Sequence, residues 1–309
     1  MGLRILVIGA GAVGGYFGGR LQEAGRDVTF LVRAGRAERI HSEGLHIISP
    51  HGDAILHPKT LLADQLTEPY DLILLSVKAY ALEAAMNDFA SAVGPETMIL
   101  PVLNGIRHIE LLTDRFGDKC VIGGVCLVVT QLDEDDHVVQ LAEIQQLAYG
   151  ERSGEISERI LRLDAAMQGA GFDARASECI VQEMWEKWVQ LASLGAATCL
   201  FRGNIGEIES VKGGTDLSLQ ILSECSAIAT AWGHPPRDAF LTRVREAMTS
   251  PGSQFTSSMY RDLTQGRNVE VDQILGDLLV RGRSLGIATP LVEAAFVNLS
   301  VYQARFSMK

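Results

Sequence analysis

The sequence predicts an α/β protein in two parts: a doubly wound, mostly parallel sheet, followed by an all-helical C-terminal domain. Three observations lead there. The first half alternates short apolar runs of strand length with helical stretches. The first of those runs passes straight into a glycine-rich turn. After about Ser177 almost every segment carries a helical pattern.

Bulk properties agree with two soluble domains. The chain has 309 residues, 47% hydrophobic and 21% charged, enough to bury a sizeable core in each half. A net charge of −11 argues against nucleic acid or an anionic membrane as a general partner. No uninterrupted apolar stretch is long enough to span a membrane. Cys120, Cys126, Cys179, Cys199 and Cys225 form no CxxC and no metal-ligand spacing, so buried free thiols and no metal are expected. Free thiols suit a reducing, cytoplasmic setting. The first strand starts by Arg4, which leaves no room for a signal peptide.

Taken in order, the first strand runs from Arg4 and is followed by a helix through Tyr16, Phe17 and Leu21 to about Gly25. Asp27–Val32 reads as the second strand and Leu45–Ser49 as a further one. His51-Gly52-Asp53 is a turn into another short strand. Residues 71–77 and 97–102 are apolar with little alternation, as strands buried on both faces are. Helices follow them at about 80–92 and 105–116. Strands are then expected at 121–130, 138–141 and 146–149, a helix at 156–170 and a last strand at 171–175. Acidic Asp133-Glu134-Asp135-Asp136 reads as a solvated loop. The pattern changes near 175–180, which places the domains at 1–177 and 178–309. In the second, a helix covers about 180–200, with no charge from Trp188 to Phe201, so it is buried all round. Further helices are expected at 215–232, 236–250, 268–287 and 290–305. The apolar C-terminal helices either bury a homodimer surface or complete the helical domain.

The turn after the first strand is G-x-G-x-x-G, at Gly9, Gly11 and Gly14. Gly9 permits the tight exit from the strand, Gly11 lets backbone approach a pyrophosphate, and Gly14 lets helix and strand pack closely. The N–H groups of Ala12, Val13 and Gly14 then face phosphate at the positive end of the helix. Strand, turn and helix in this order predict a Rossmann-type dinucleotide site. Arg33 ends the second strand, where a carboxylate would accept hydrogen bonds from an NAD ribose. An arginine pairs instead with a 2′-phosphate, and Arg36 and Arg39 lie nearby, so the sequence favours NADP(H). Lys78 and Asn104-Gly105 follow two buried strands at their carboxyl ends, the ligand side of an open α/β sheet. A helix-start lysine and a turn Asn-Gly are the plain alternatives.

Lys187 is the last charge before the buried helical stretch. It either snorkels at a helix boundary or projects, partly desolvated, as a proton donor to a ketone oxygen. Ser257-Ser258 and Glu270 read from composition only as a helix cap and a solvated carboxylate.

Together these residues resemble the ketopantoate reductases (2-dehydropantoate 2-reductases) nearly end to end. The resemblance rests on Gly9–Gly18, Ser76-Val77-Lys78-Ala79, Leu103-Asn104-Gly105 and Trp185-Glu186-Lys187-Trp188. It extends to Ser257–Asp262 and Val269-Glu270-Val271-Asp272. It implies a Rossmann domain followed by a helical one, with NADPH and a small 2-oxo acid bound in the cleft between them. Lys187 would be the general acid, and Glu270 would bond the substrate hydroxyl and orient the lysine. Ser258 would hold the substrate, Asn104 and Lys78 would line the nicotinamide end, and Arg33 would meet the 2′-phosphate.

The chain also departs from that family. The lysine helix usually carries asparagines one and two turns later, where this chain has Leu191 and Gly195. Ile205 replaces another asparagine, before Gly206-Glu207. Each lost hydrogen bond to a polar substrate costs ~1–3 kcal/mol. Leu191 and Gly195 should therefore line a more apolar, roomier substrate pocket. Three functions follow as expectations: an NADPH-dependent ketopantoate reductase, a relative reducing a more apolar 2-oxo acid or ketone, and a non-catalytic NADP(H) sensor. Binding alone would need neither Lys187 nor Glu270.

Overall fold

A computed structural model describes residues 2–307. The chain divides into two compact units. One takes residues up to Leu103 together with His108–Val181, and the other takes Asn104–Arg107 together with everything from Gln182. The division thus falls at 181/182 rather than 177/178. The difference has a packing cause: Ile180 opens the long helix but sits on Gly123 of the first unit, 2.7 Å from where a Cβ would stand.

The first unit runs β1 (Arg4–Ile8), α1 (Ala12–Glu23), β2 (Asp27–Leu31), α2 (Ala34–Glu43), β3 (Leu45–Ile48), β4 (Ala54–Leu56), β5 (Lys59–Leu61) and β6 (Leu72–Leu75). It continues with α3 (Leu82–Asp88), β7 (Met98–Pro101), α4 (Arg107–Phe116), β8 (Gly123–Leu132), β9 (Val138–Gly150), α5 (Glu158–Met167) and β10 (Asp173–Ala176). One sheet, ordered β5-β2-β1-β6-β7, is parallel throughout. The low-alternation runs form its centre, with every residue of β6 and β7 buried. The order reverses at β1, so the β1–α1 turn lies where such sheets bind ligands.

A second sheet was not legible in the sequence. It is ordered β10-β9-β3-β4, with β8 also paired to β9. β3 joins β9 in parallel and β4 in antiparallel fashion rather than extending the first sheet. The two strands expected at 138–141 and 146–149 are one 13-residue strand; β8 pairs with it at Val138–Gln140 and again at Gln145–Gly150, across a register shift. Helix α1 packs against both sheets through two pairs of glycines. A Cβ at Gly14 would overlap the Ser76 hydroxyl and stand 2.5 Å from the Gly9 carbonyl oxygen; at Gly18 it would stand 2.7 Å from the Phe30 ring. One residue round the helix, a Cβ at Gly15 would meet Val138 at 2.7 Å, and at Gly19 it would meet Ile47 at 2.6 Å. Spacing i, i+4 puts each pair on one face. The run Gly14-Gly15-Tyr16-Phe17-Gly18-Gly19 therefore serves close packing on two sides.

The second unit is helical: α6 (Ile180–Phe201), α7 (Ile205–Glu209), α8 (Gly214–Ala231), α9 (Asp238–Met248), α10 (Ser258–Thr264), α11 (Asp277–Ser284) and α12 (Pro290–Ser307). The short α7 and α10 escape the sequence pattern. Asn204 and Glu207 cap α7 reciprocally, each backbone N–H donating to the other side chain at 2.8 Å. The single helix expected over 268–287 begins only at Val271 and widens into a π-turn, Asp272–Gly276, before α11. At the start of α12, Glu224 of α8 accepts from the Leu291 and Val292 N–H groups at 3.1 and 3.0 Å.

Among the described residues no helix is long and apolar enough to cross a membrane, and no cluster of potential metal ligands forms. Four cysteines are buried and Cys179 is exposed. Burial pushes the Cys199 and Cys225 thiols up to about 12.

Candidate functional site

In the first unit the β1–α1 turn presents backbone. Gly9 has φ +86°, a conformation a side chain would strain, and its N–H donates to the Leu31 carbonyl at 2.9 Å. That bond holds the turn beside the end of β2. Gly11 is the N-cap of α1 and offers no side chain to its first-turn N–H groups. Nothing stands within 4 Å of where a Gly11 Cβ would be, whereas Gly14 is hemmed in. An open approach over uncapped amides at Ala12, Val13 and Gly14 fits a pyrophosphate.

Beside the turn, Arg33 is the N-cap of α2 and its side chain is exposed. Arg36 and Arg39 are engaged. Arg36 Nη2 donates to the Ala10 carbonyl at 3.1 Å, and Arg39 Nη1 donates to the Asp136 carboxylate at 2.7 Å. Lys78, also exposed, precedes a 3₁₀ turn, Ala79–Ala81, at the end of β6.

In the second unit Lys187 sits on α6, whose residues 183–201 are otherwise almost entirely buried. Lys187, Gln190 and Leu191 are half-buried, at spacings of three and four residues, and so form one partly open stripe. Trp185, Glu186 and Trp188 beside the lysine are buried. The Trp188 indole N–H donates to the Ile274 carbonyl at 2.9 Å, inside the π-turn that follows Glu270. Glu270 is buried, so it is not the solvated carboxylate that composition suggested. Asn104 is half-buried, and the adjoining Gly105 (φ +78°) would place a Cβ 2.8 Å from the Gln273 carbonyl oxygen. The Asn104 loop, the Glu270 segment and the Trp188 turn of α6 therefore come together. Ser258 is the first residue of α10, half-buried, behind the cap Ser257. The Ser257 and Thr198 hydroxyls hydrogen-bond at 2.8 Å, which ties the start of α10 to α6.

Two expectations about the pocket need correction. Gly195 is buried, and the space a Cβ would take is filled by the Met259 methyl, so no extra room opens there. Ile205 is fully buried: it opens α7 with its N–H on the Phe255 carbonyl at 3.1 Å and lines the core. Leu191 alone of the three replacements lies on the partly open stripe.

Sequence reasoning missed two supports of the lysine turn. Arg237 grips Glu186 with its backbone N–H (2.9 Å), Nε (2.8 Å) and Nη2 (2.5 Å). Burial pushes the Glu186 carboxyl up, but the Arg237 hydrogen bonds outweigh it and hold the group below the usual carboxylate range. The chain's three tryptophans, Trp185, Trp188 and Trp232, surround the buried Arg281 guanidinium, with ring centroids at 6.0, 5.7 and 4.8 Å. Two tryptophans three residues apart on a helix were the one available signal.

Comparison with known proteins decides the family. The family described as ketopantoate reductase PanE/ApbA matches residues 5–154, and its C-terminal counterpart matches residues 179–303. The chain belongs to the ketopantoate reductase family. It is 34% identical over 302 residues to YkpB, an uncharacterized oxidoreductase of Bacillus subtilis, covering 98% of this chain and 99% of that one. The crystal structure of 2-dehydropantoate 2-reductase from Geobacter metallireducens superposes with a TM-score of 0.88 at 31% identity, covering 97% and 99% of the two chains. A ternary structure of D-mandelate dehydrogenase with NADH and anilino(oxo)acetate shares the fold at TM-score 0.87 and 20% identity, covering 98% and 99%.

Membership makes the chain a ketopantoate reductase-like oxidoreductase. Within the ketopantoate reductase family, the turn at Gly9–Gly14 and the Lys187 helix fall inside the two matched regions.

Proposed function

We propose that the chain is an NADPH-dependent reductase of a 2-oxo acid, with ketopantoate the first candidate and Lys187 the general acid. The observation that carries the proposal is the partly open stripe on α6. A half-buried lysine projects there from a helix whose neighbouring Glu186 and tryptophans are buried and fastened. Backbone N–H groups of Ala12, Val13 and Gly14 would hold the pyrophosphate, and Arg33 would pair with the 2′-phosphate. Lys78 and Asn104 would line the nicotinamide end. When bound, the dinucleotide supplies hydride to the ketone carbon. Lys187 Nζ gives a proton to the ketone oxygen as negative charge develops on it. Glu270, buried near the Trp188–Ile274 bond, would orient the lysine and accept from the substrate hydroxyl, with Ser258 donating to the substrate.

A second reading rests on Leu191: a leucine on the stripe favours a 2-oxo acid with an alkyl group where ketopantoate has a hydroxyl. Oxidation of NADPH and NADH measured across a panel of 2-oxo acids tests both readings. NADPH turnover with ketopantoate as best substrate supports the first, and an alkyl 2-oxo acid as best substrate supports the second. No turnover with any of them, alongside intact NADPH binding, would leave a dinucleotide-binding protein without this chemistry.

A further inference from the structure

The acidic run Asp133–Asp136 forms the tip of the β8–β9 hairpin, and its residues point to different tasks. Asp133 serves the tip itself: its carboxylate accepts from the N–H groups of Asp135 (3.0 Å) and His137 (2.8 Å) and meets His137 Nδ1 at 3.0 Å. Asp136 reaches away to α2. Its φ of +60° is left-handed, a region a non-glycine residue enters at a cost. Its carboxylate takes Arg39 Nη1 at 2.7 Å and lies 3.6 Å from Arg36 Nη1. Its carbonyl accepts from Arg36 Nη2 at 2.9 Å, and the same Nη2 donates to Ala10 in the glycine turn at 3.1 Å. One residue on a hairpin 100 positions from Arg36 thus engages two of the three arginines at the end of β2.

We infer that Asp136 is a specificity-determining residue for the dinucleotide, setting how strongly a 2′-phosphate is preferred by competing with it for Arg36 and Arg39. The inference rests on the proposed NADP(H) site. A 2′-phosphate and the Asp136 carboxylate are both anions seeking the same guanidinium groups. Each weakens the other's hold by competition and by repulsion. Arg33, exposed and outside this cluster, stays available to the phosphate. The carboxylate is 39% exposed, so the competition takes place within reach of solvent and of added salt. An unphosphorylated ribose brings no charge to the contest, so NADH binding is insensitive to Asp136.

The test is calorimetric binding of NADPH and of NADH to the full chain without substrate, in wild type, Asp136→Asn and Arg39→Gln. Asparagine tolerates the left-handed backbone and keeps the carbonyl that Arg36 uses. Asp136→Asn should tighten NADPH by about 3- to 10-fold at low salt and move NADH by less than about 2-fold, with the difference shrinking toward 0.5 M salt as screening grows. Arg39→Gln leaves the carboxylate less neutralised and should weaken NADPH by about 3- to 10-fold, again sparing NADH. Opposite signs in the two variants, with melting temperatures near wild type, support the inference. If Asp136→Asn unfolds, Arg39→Gln decides alone: a selective loss supports the inference and an unchanged NADPH affinity overturns it. Parallel changes for both nucleotides, or none, overturn it while leaving the NADPH reading intact where wild type prefers NADPH. Wild type that binds neither nucleotide overturns both.

Discussion

At the β1–α1 turn the proposed binding surface is backbone. Gly9, Gly11 and Gly14 lie within six residues, and their importance follows from what a side chain would hit or block. On the Lys187 face of α6 the proposed catalytic surface is side chains. The lysine is placed by groups drawn from across the second unit: Arg237 on Glu186, Arg281 among the tryptophans, and Ile274 on Trp188. A backbone site can be compressed into one short motif, because any sequence with glycine at the right places builds it. A side-chain site needs distant residues to converge, so its parts carry no local signature. The two regions should therefore fail differently when altered: the turn through shape, the lysine face through chemistry.

The largest expected effect is on the chemical step. If Lys187 is the proposed general acid, Lys187→Ala should cut turnover by roughly 10²–10⁴ while leaving NADPH affinity near wild type, because such a lysine would meet only developing charge on the substrate. Stopped-flow turnover beside NADPH titration checks it. Unchanged turnover removes the general-acid role. A lowered melting temperature with lost NADPH binding makes Lys187 a structural residue instead.

Arg33→Ala sharpens the contrast from the cofactor side, since here a side chain supplements a backbone site. Losing a charge-assisted pair should weaken NADPH by ~1.5–3 kcal/mol and leave NADH nearly unmoved. Equal losses for both nucleotides, or equal affinity in wild type, would remove the 2′-phosphate assignment.

The glycine turn can be broken in two ways that the structure separates. A Cβ at Gly14 would run into Ser76 and the Gly9 carbonyl, so Gly14→Ala should destabilise the fold by ~1–3 kcal/mol and lower the melting temperature. A Cβ at Gly11 meets nothing within 4 Å. Gly11→Ala should therefore melt like wild type while NADPH binds ~1–3 kcal/mol more weakly, the overlap now falling on the pyrophosphate. Equal thermal losses in both variants would erase the distinction.

The same contrast explains what the sequence showed and what it hid. Buried strands such as Leu72–Leu75 and the turn at Gly9–Gly14 are local patterns, and both stand where the pattern puts them. The second sheet was hidden because β3 and β9 lie some 90 residues apart and nothing in Leu45–Ile48 names its neighbour. The π-turn was hidden because a widened turn keeps a helical composition. Ser258 and Glu270 had no signal of their own beyond the family resemblance, Arg281 had only the pair of tryptophans on α6, and Arg237 had none at all. Asp136 looked like part of a solvated loop because its partners, Arg36 and Arg39, lie on another element.

The smallest effects test where the lysine face meets substrate. Lys187, Leu191 and Gly195 stand four residues apart on α6, yet they differ in setting. Leu191 is on the half-buried stripe with Lys187, whereas Gly195 is buried beneath the Met259 methyl. If the stripe faces substrate, Leu191→Asn adds a hydrogen-bonding group beside it. The kcat/KM ratio of ketopantoate to an alkyl 2-oxo acid of similar size should then rise by about 5- to 100-fold, from ~1–3 kcal/mol. Gly195→Ala should leave that ratio unmoved, because the new methyl meets only Met259. The end of a methionine is flexible and can turn aside, so the stability cost should stay below ~1 kcal/mol. The two variants are compared by kcat/KM for both substrates and by melting temperature. A ratio that moves in Gly195→Ala but not in Leu191→Asn would place the substrate further along α6 than Leu191, and Met259 rather than Leu191 would then face it.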